Sequence, residues 1–273
     1  MSTAIRLPAV AGKFYPADSR ELRSEIEAFT RSAENAEQKK PRALGCVAPH
    51  AGYVYSGAVA GEVYRCLELP ARYVILCPNH TGRGEPLAIM STGAWRTPLG
   101  DVPIDEKLAS DLKARFSLLA EDEAAHRFEH ALEVQLPFLQ VLHPNFRFVP
   151  ITVGSSYYEV LSALGIAIAS VIRSGEDTLV IASSDMNHYE SDSVTRVKDR
   201  RAIDRILELN PRGLYDVVRE EKISMCGYGP TVAMLTAALK LGAKKAELLR
   251  YATSGDVSGD REMVVGYAGI AVC

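Results

Sequence analysis

Apolar and polar positions along this chain fall into short hydrophobic runs separated by amphipathic stretches. From Ser19 to Ser32 the residues Leu22, Ile26 and Phe29 recur at helical spacing, and Asp18 with Glu21 forms a capping box at the helix start. Ala33–Arg42 is polar, carries Lys39-Lys40-Pro41, and reads as a solvated linker. Ala43–Ala48, Tyr73–Cys77, Phe146–Val153 and Thr178–Ala182 are rich in Val, Ile and Leu and bounded by breakers, so they read as buried strands. Helices are expected between them at Ala58–Leu67, Glu106–Phe116, Glu129–Val141 and Tyr158–Ile172. Further helices are expected over Ser193–Leu209, after Pro211, and from Pro230 to Leu241, where proline takes its favoured first-turn position. Strands over Glu247–Thr253 and Met263–Val272 close the pattern. This alternation predicts one α/β domain with a largely parallel or mixed central sheet and helices on both faces.

In open α/β sheets, ligands bind beyond the carboxyl ends of the strands. Three segments occupy such places: Pro49-His50-Ala51-Gly52-Tyr53, Pro78-Asn79-His80-Thr81-Gly82, and Ser183-Ser184-Asp185-Met186-Asn187-His188. Half of the six histidines therefore follow predicted strands. Any one of them is more often a packing histidine, but that reading weakens for three together. Cys226 stands just ahead of a predicted helix, where the macrodipole favours a thiolate that serves as ligand or nucleophile. His130 and Glu133 share a predicted helical face and are weaker pocket candidates, as is Tyr53; His126 is weaker still.

Composition narrows the class. At 273 residues the chain buries a sizeable core without a disulfide or metal staple. A formal net charge of -3 gives no overall field towards nucleic acid or an anionic membrane, and no apolar run is long enough to span a bilayer. Met1–Gly12 lacks the pattern of a signal peptide. The five cysteines are odd in number and scattered, which suits reduced thiols, and a cytoplasmic location is expected.

Five ordered motifs then carry a resemblance. Ala48-Pro49-His50-Ala51-Gly52-Tyr53, Cys77-Pro78-Asn79-His80-Thr81-Gly82, the stretch from Glu129 to Pro137, Ser183–His188 and Met225-Cys226-Gly227 resemble those of the Memo family, whose prokaryotic branch is similar to protein B of the AmmeMemoRadiSam set. The resemblance implies a fold similar to the class III extradiol dioxygenases. It matches His50 and His80 to two metal-binding histidines, His188 to an acid–base histidine with Asp185 in the same loop, and Cys226 to a thiol standing where the dioxygenases have a carboxylate. A thiolate is softer and more easily oxidised than a carboxylate, so ordinary ring cleavage does not follow.

Three functions compete on these residues. The first is a mononuclear iron(II) redox or dioxygenase-like protein acting on an unidentified small molecule or peptide, with copper or zinc as alternative ions. The second is a metal-free hydrolase or transferase with Cys226 as nucleophile, His188 as base and Asp185 orienting it; it leaves His50 and His80 without a task. The third is a non-enzymatic binding or scaffold module, for which the resemblance implies an AMMECR-like protein and a radical S-adenosylmethionine enzyme as partners.

Overall fold

The computed structural model describes residues 4–31, 40–172 and 177–273. Its strands are β1 (Ile5–Arg6), β2 (Gly45–Ala48), β3 (Arg72–Pro78), β4 (Leu87–Ile89), β5 (Ala94–Thr97), β6 (Gly100–Pro103), β7 (Ala120–Glu121), β8 (Arg147–Val153), β9 (Thr178–Ser183), β10 (His188–Glu190), β11 (Ala246–Thr253) and β12 (Val264–Val272). Its helices are α1 (Ser19–Thr30), α2 (Tyr53–Cys66), α3 (Glu106–Arg115), α4 (Leu136–Leu142), α5 (Tyr158–Val171), α6 (Asp192–Leu207), α7 (Pro211–Glu220), α8 (Tyr228–Leu241) and the short α9 (Gly255–Ser258).

The Val- and Ile-rich runs form the centre of a mixed sheet ordered β10-β12-β2-β9-β3-β8-β4-β7, with β11 on β12. Strands β2, β9, β3 and β8 run parallel, and β12 and β4 join antiparallel on either side. The parallel strands are buried almost throughout, which explains why their sequences lack strict alternation. Helices cover both faces. A Cβ on Gly45 would strike the Met234 side chain of α8, whereas one on Gly269 would strike Val63 of α2, so glycine lets each helix approach the sheet closely. One apolar cluster extends from Val10 to Val272.

Asp18 caps α1 by accepting from the amides of Arg20 and Glu21. That helix ends at Thr30; Ser32, and the expected linker as far as Lys39, lie outside the described residues. Two boundaries move towards the site. Helix α2 begins at Tyr53, whose amide donates to Phe14 O at 2.7 Å, and α8 begins at Tyr228. The continuous helix expected over Glu129–Val141 does not form. Residues 129–130 have no regular structure, 131–132 turn, Glu133–Gln135 is one 3-10 turn, and only Leu136–Leu142 is α-helical. Both glutamates have captured amides elsewhere in the chain, so their side chains are not a wet helix face. Strands β1, β4–β7 and β10 have no counterpart in the sequence pattern. They hold two to four residues each, too few to show a period, and exist through pairing.

Candidate metal centre

Strands β2, β9 and β3 are neighbours in register, with Ala48 opposite Ser183 and Leu76 opposite Ala182. The segments that follow them therefore converge at one edge of the sheet. His50, His80 and Asp185 arrive from these three ends, His188 opens β10, and Cys226 comes from the turn before α8. His50, His80, His130, His188, Asp185 and Cys226 all line one cavity of about 590 Å³, together with Phe14, Tyr189 and Val265. A cleft of about 650 Å³ between residues 5–9, Met90, Glu123-Ala124 and Arg127-Phe128 is larger, but no histidine or cysteine lines it.

The donor atoms of His50, His80 and Cys226 all lie within 4.8 Å of one another, and Cys226 Sγ is 3.2 Å from His50 Nε2. Each imidazole is turned by a partner on its far side. Ser183 Oγ donates its one proton to Ala131 O at 2.6 Å and accepts from Gln135 Nε2 at 2.8 Å. At 3.0 Å from His50 Nδ1 it can therefore only accept, which assigns the proton to Nδ1 and leaves the Nε2 lone pair facing Cys226. Gln135 is held in turn by Tyr64, whose hydroxyl donates to Oε1 at 2.7 Å. His80 Nδ1 donates to Glu129 Oε1 at 2.8 Å, and the His80 amide donates to Oε2 at 2.6 Å. A carboxylate or hydroxyl behind a ligating histidine fixes its tautomer and raises its basicity. This donor set suits a borderline or soft divalent ion. A second group, His80, Glu129 and His130, is also close enough to share an ion, but Glu129 already accepts three N–H groups, the third from the Ala131 amide at 2.9 Å.

Electrostatics divides the imidazoles. Burial holds His50 well below its ordinary value, and neighbouring His80, His130 and His188 push the same way. Burial likewise lowers His130 and His188. Burial opposes charge on His80 too, but the hydrogen bond and charge of Glu129 outweigh it and raise its value. Asp185 is pushed up to about 7 by burial, against the stabilising amide of His50 at 2.7 Å. Burial also raises the Cys226 thiol, with the Asp185 charge adding to it. The expected helix-dipole activation of Cys226 is therefore overridden by desolvation.

Other expectations need correcting. Tyr53 does not line the cavity: it is 2% exposed, packs at a tilt against Phe138, and donates to Val134 O. Glu133 does not either. It clasps the N-terminal segment, accepting from Arg6, the amides of Ala9 and Val10, and Tyr15 Oη. His130 does reach the cavity, stacked on His80 at 4.7 Å. His126 is a core residue hydrogen-bonded to Thr152 and packed on Trp95. The Cys226–His188–Asp185 triad is not assembled: Cys226 meets His50 rather than His188, and Asp185 accepts from the His50 amide while Ser224 O receives His188 Nδ1–H. Sequence reasoning gave no role to Ser183, Gln135, Asn187 and Ser224 and weighed Glu129 only through its spacing to His126 and His130; Glu129, Gln135, Ser183 and Asn187 do lie inside the family motifs, which were the one signal that could have found them.

The fold and cavity define a mixed α/β protein with an imidazole- and thiol-lined pocket at the carboxyl edge of its parallel strands. A profile of the family described as Memo-like protein matches residues 6–271. This chain belongs to the Memo family. It is 46% identical to a MEMO1 family protein of Methanothermobacter thermautotrophicus, over 97% of this chain and 99% of that one. A MEMO1 family protein of Sulfolobus acidocaldarius is 45% identical over 97% and 98%. Among solved structures, an uncharacterized protein of Escherichia coli K12 shares the fold at a TM-score of 0.53 and 15% identity, covering 84% of this chain and all of the other. None of the described helices is long and apolar enough to cross a membrane.

Proposed function

We propose that this protein is a mononuclear redox protein whose His50, His80 and Cys226 hold one metal ion, iron(II) before copper or zinc. The observation that carries this is three donors from three separate loops, all within 4.8 Å, with both histidines pinned from behind. Iron(II) bound there would supply a one-electron redox centre with positions left open for a substrate. The protein's own residues do the rest. His188 has its Nδ1–H committed to Ser224 O, so its Nε2 is the atom that takes and returns a proton. Phe14, Tyr189 and Val265 give the cavity an apolar side. The dioxygenase likeness ranks iron first; the thiol in place of a carboxylate argues for a reaction other than ring cleavage.

The contact between Cys226 and His50 favours a second reading, a thiol nucleophile with His50 as its base. Burial opposes it by raising the thiol and lowering the basicity of the His50 imidazole, and it gives His80 and Glu129 no part. Metal content of untagged protein purified without oxygen separates the two. Near-stoichiometric iron that disappears in His50→Ala and His80→Ala, with Cys226 shielded from iodoacetamide until a chelator is added, supports the metal centre. Rapid alkylation of Cys226 in verified metal-loaded protein, or full metal retention in both variants, overturns it.

A further inference from the structure

His188 and Cys226 face the same cavity from segments 38 positions apart in sequence, and two polar residues outside the ligand set tie those segments together. Asn187 Oδ1 accepts from both the amide and the hydroxyl of Ser224, each at 3.0 Å. Ser224 reaches back twice: its Oγ accepts from the His188 amide at 2.7 Å, and its carbonyl accepts from His188 Nδ1 at 2.9 Å. Asn187 is fully buried and fixed to α6 and β10 as well, its amide donating to Asp199 Oδ1 at 2.8 Å and its Nδ2 to Glu190 Oε2 at 2.7 Å. Between the held residues, Tyr189 adopts a left-handed φ of 60°, at a break in the β10–β12 register. A tyrosine keeps such a conformation only where its flanks over-determine it.

We propose that Asn187 and Ser224 are positioning residues that lock the His188 imidazole and the Cys226 thiol into one geometry across the cavity. The role of Cys226 rests on the metal-centre reading; the orientation of His188 does not. The clamp specifies the tautomer, because Ser224 O can only accept, so His188 carries its proton on Nδ1 and presents Nε2 to the ligand. It also limits where Cys226, two residues beyond Ser224, can place its sulfur. Outer partners of this kind commonly govern metal affinity without touching the ion.

The test uses the full chain with Ser224→Ala, Asn187→Ala and the conservative Ser224→Thr. Nitrogen-15 NMR of metal-free protein reads the His188 tautomer. Cobalt(II) titration, followed by the thiolate charge-transfer band and chelator competition, reads Cys226 ligation and affinity. Wild type should show the Nδ1–H tautomer alone. Ser224→Ala and Asn187→Ala keep the Ser224 carbonyl but cut the bonds that hold it against His188, so both should loosen the Nδ1 contact, give a tautomer mixture and bind cobalt about 10- to 100-fold more weakly at unchanged stoichiometry, and Ser224→Thr should restore both readings. An unchanged tautomer and affinity in folded Ser224→Ala overturns the clamp; Ser224 is exposed, so this variant is decisive even where Asn187→Ala fails to fold. A wild-type protein with no thiolate band would sink the metal centre, while the tautomer measurement would still judge the clamp.

Discussion

Glu129 and Glu133 stand one helical turn apart in sequence, both are fully buried, and both fall outside the α-helix that their spacing predicts, yet they serve different partners. Glu133 turns to the N-terminal segment, where Arg6, two amides and Tyr15 satisfy it and none of these partners lines the cavity. Glu129 turns to His80 and grips it through both Nδ1 and the amide, leaving the other ring nitrogen facing the cavity. The difference lies in what the partner does with its remaining atoms. A buried carboxylate whose partners are all satisfied is a structural clasp. One that orients a side chain with a free donor atom becomes part of a site.

The largest expected effect breaks the clasp alone. Glu133→Ala leaves the Arg6 guanidinium buried without its counter-charge, which should cost about 3–5 kcal/mol of folding stability by urea denaturation. Metal binding per folded molecule should be unchanged. A stable variant that has lost metal would mean the two glutamates had been assigned to the wrong sides.

Glu129→Gln is the converse. It keeps the shape but removes the charge behind His80, and should weaken metal affinity about 10- to 100-fold, roughly 1.4–2.7 kcal/mol. The rise in the His80 value caused by Glu129 should vanish with it, as a proton titration of the metal-free protein would record. Unaltered metal affinity would put Glu129 among the clasps.

Acid should weaken the clasp side through His126. Its backbone carbonyl accepts from Arg6, and burial, then the Arg6 charge, depresses its imidazole to about 4 from an ordinary 6.5. Between those values the unfolded chain binds the extra proton, so stability falls as pH falls from 6.5 towards 4. By about pH 5.5 the loss from this group amounts to about 1.4 kcal/mol. Denaturation at about pH 7 and about pH 5.5 measures it, and His126→Gln should flatten the difference. A His126→Gln variant whose stability difference between the two values matched that of the wild-type protein would contradict the assignment.

The smallest effect lies on the cavity side. Tyr189→Gly relieves a left-handed tyrosine at roughly 1–2 kcal/mol but adds glycine's unfolded-state entropy, for a net gain of about 0.5–1 kcal/mol. A fall in melting temperature would show that the ring packs usefully where it stands.

The sequence by itself determined the layers and the edge at which chemistry gathers. Its apolar runs are long enough to specify β2, β3, β8 and β9, and a histidine following each of β2 and β3 reports its own position, because a strand's end is a local property. It also contained the family motifs. Tertiary structure alone decided how the polar residues are shared out. Glu129, Glu133 and Tyr53 carry no local mark of which way they face, since that depends on partners 49 to 127 positions away and on a turn replacing a predicted helix. Ser183, Gln135, Asn187 and Ser224 are ordinary polar residues in sequence. They acquire a role only when packing brings a histidine's second nitrogen within hydrogen-bond reach, because orientation needs two fixed points and the chain supplies one at a time.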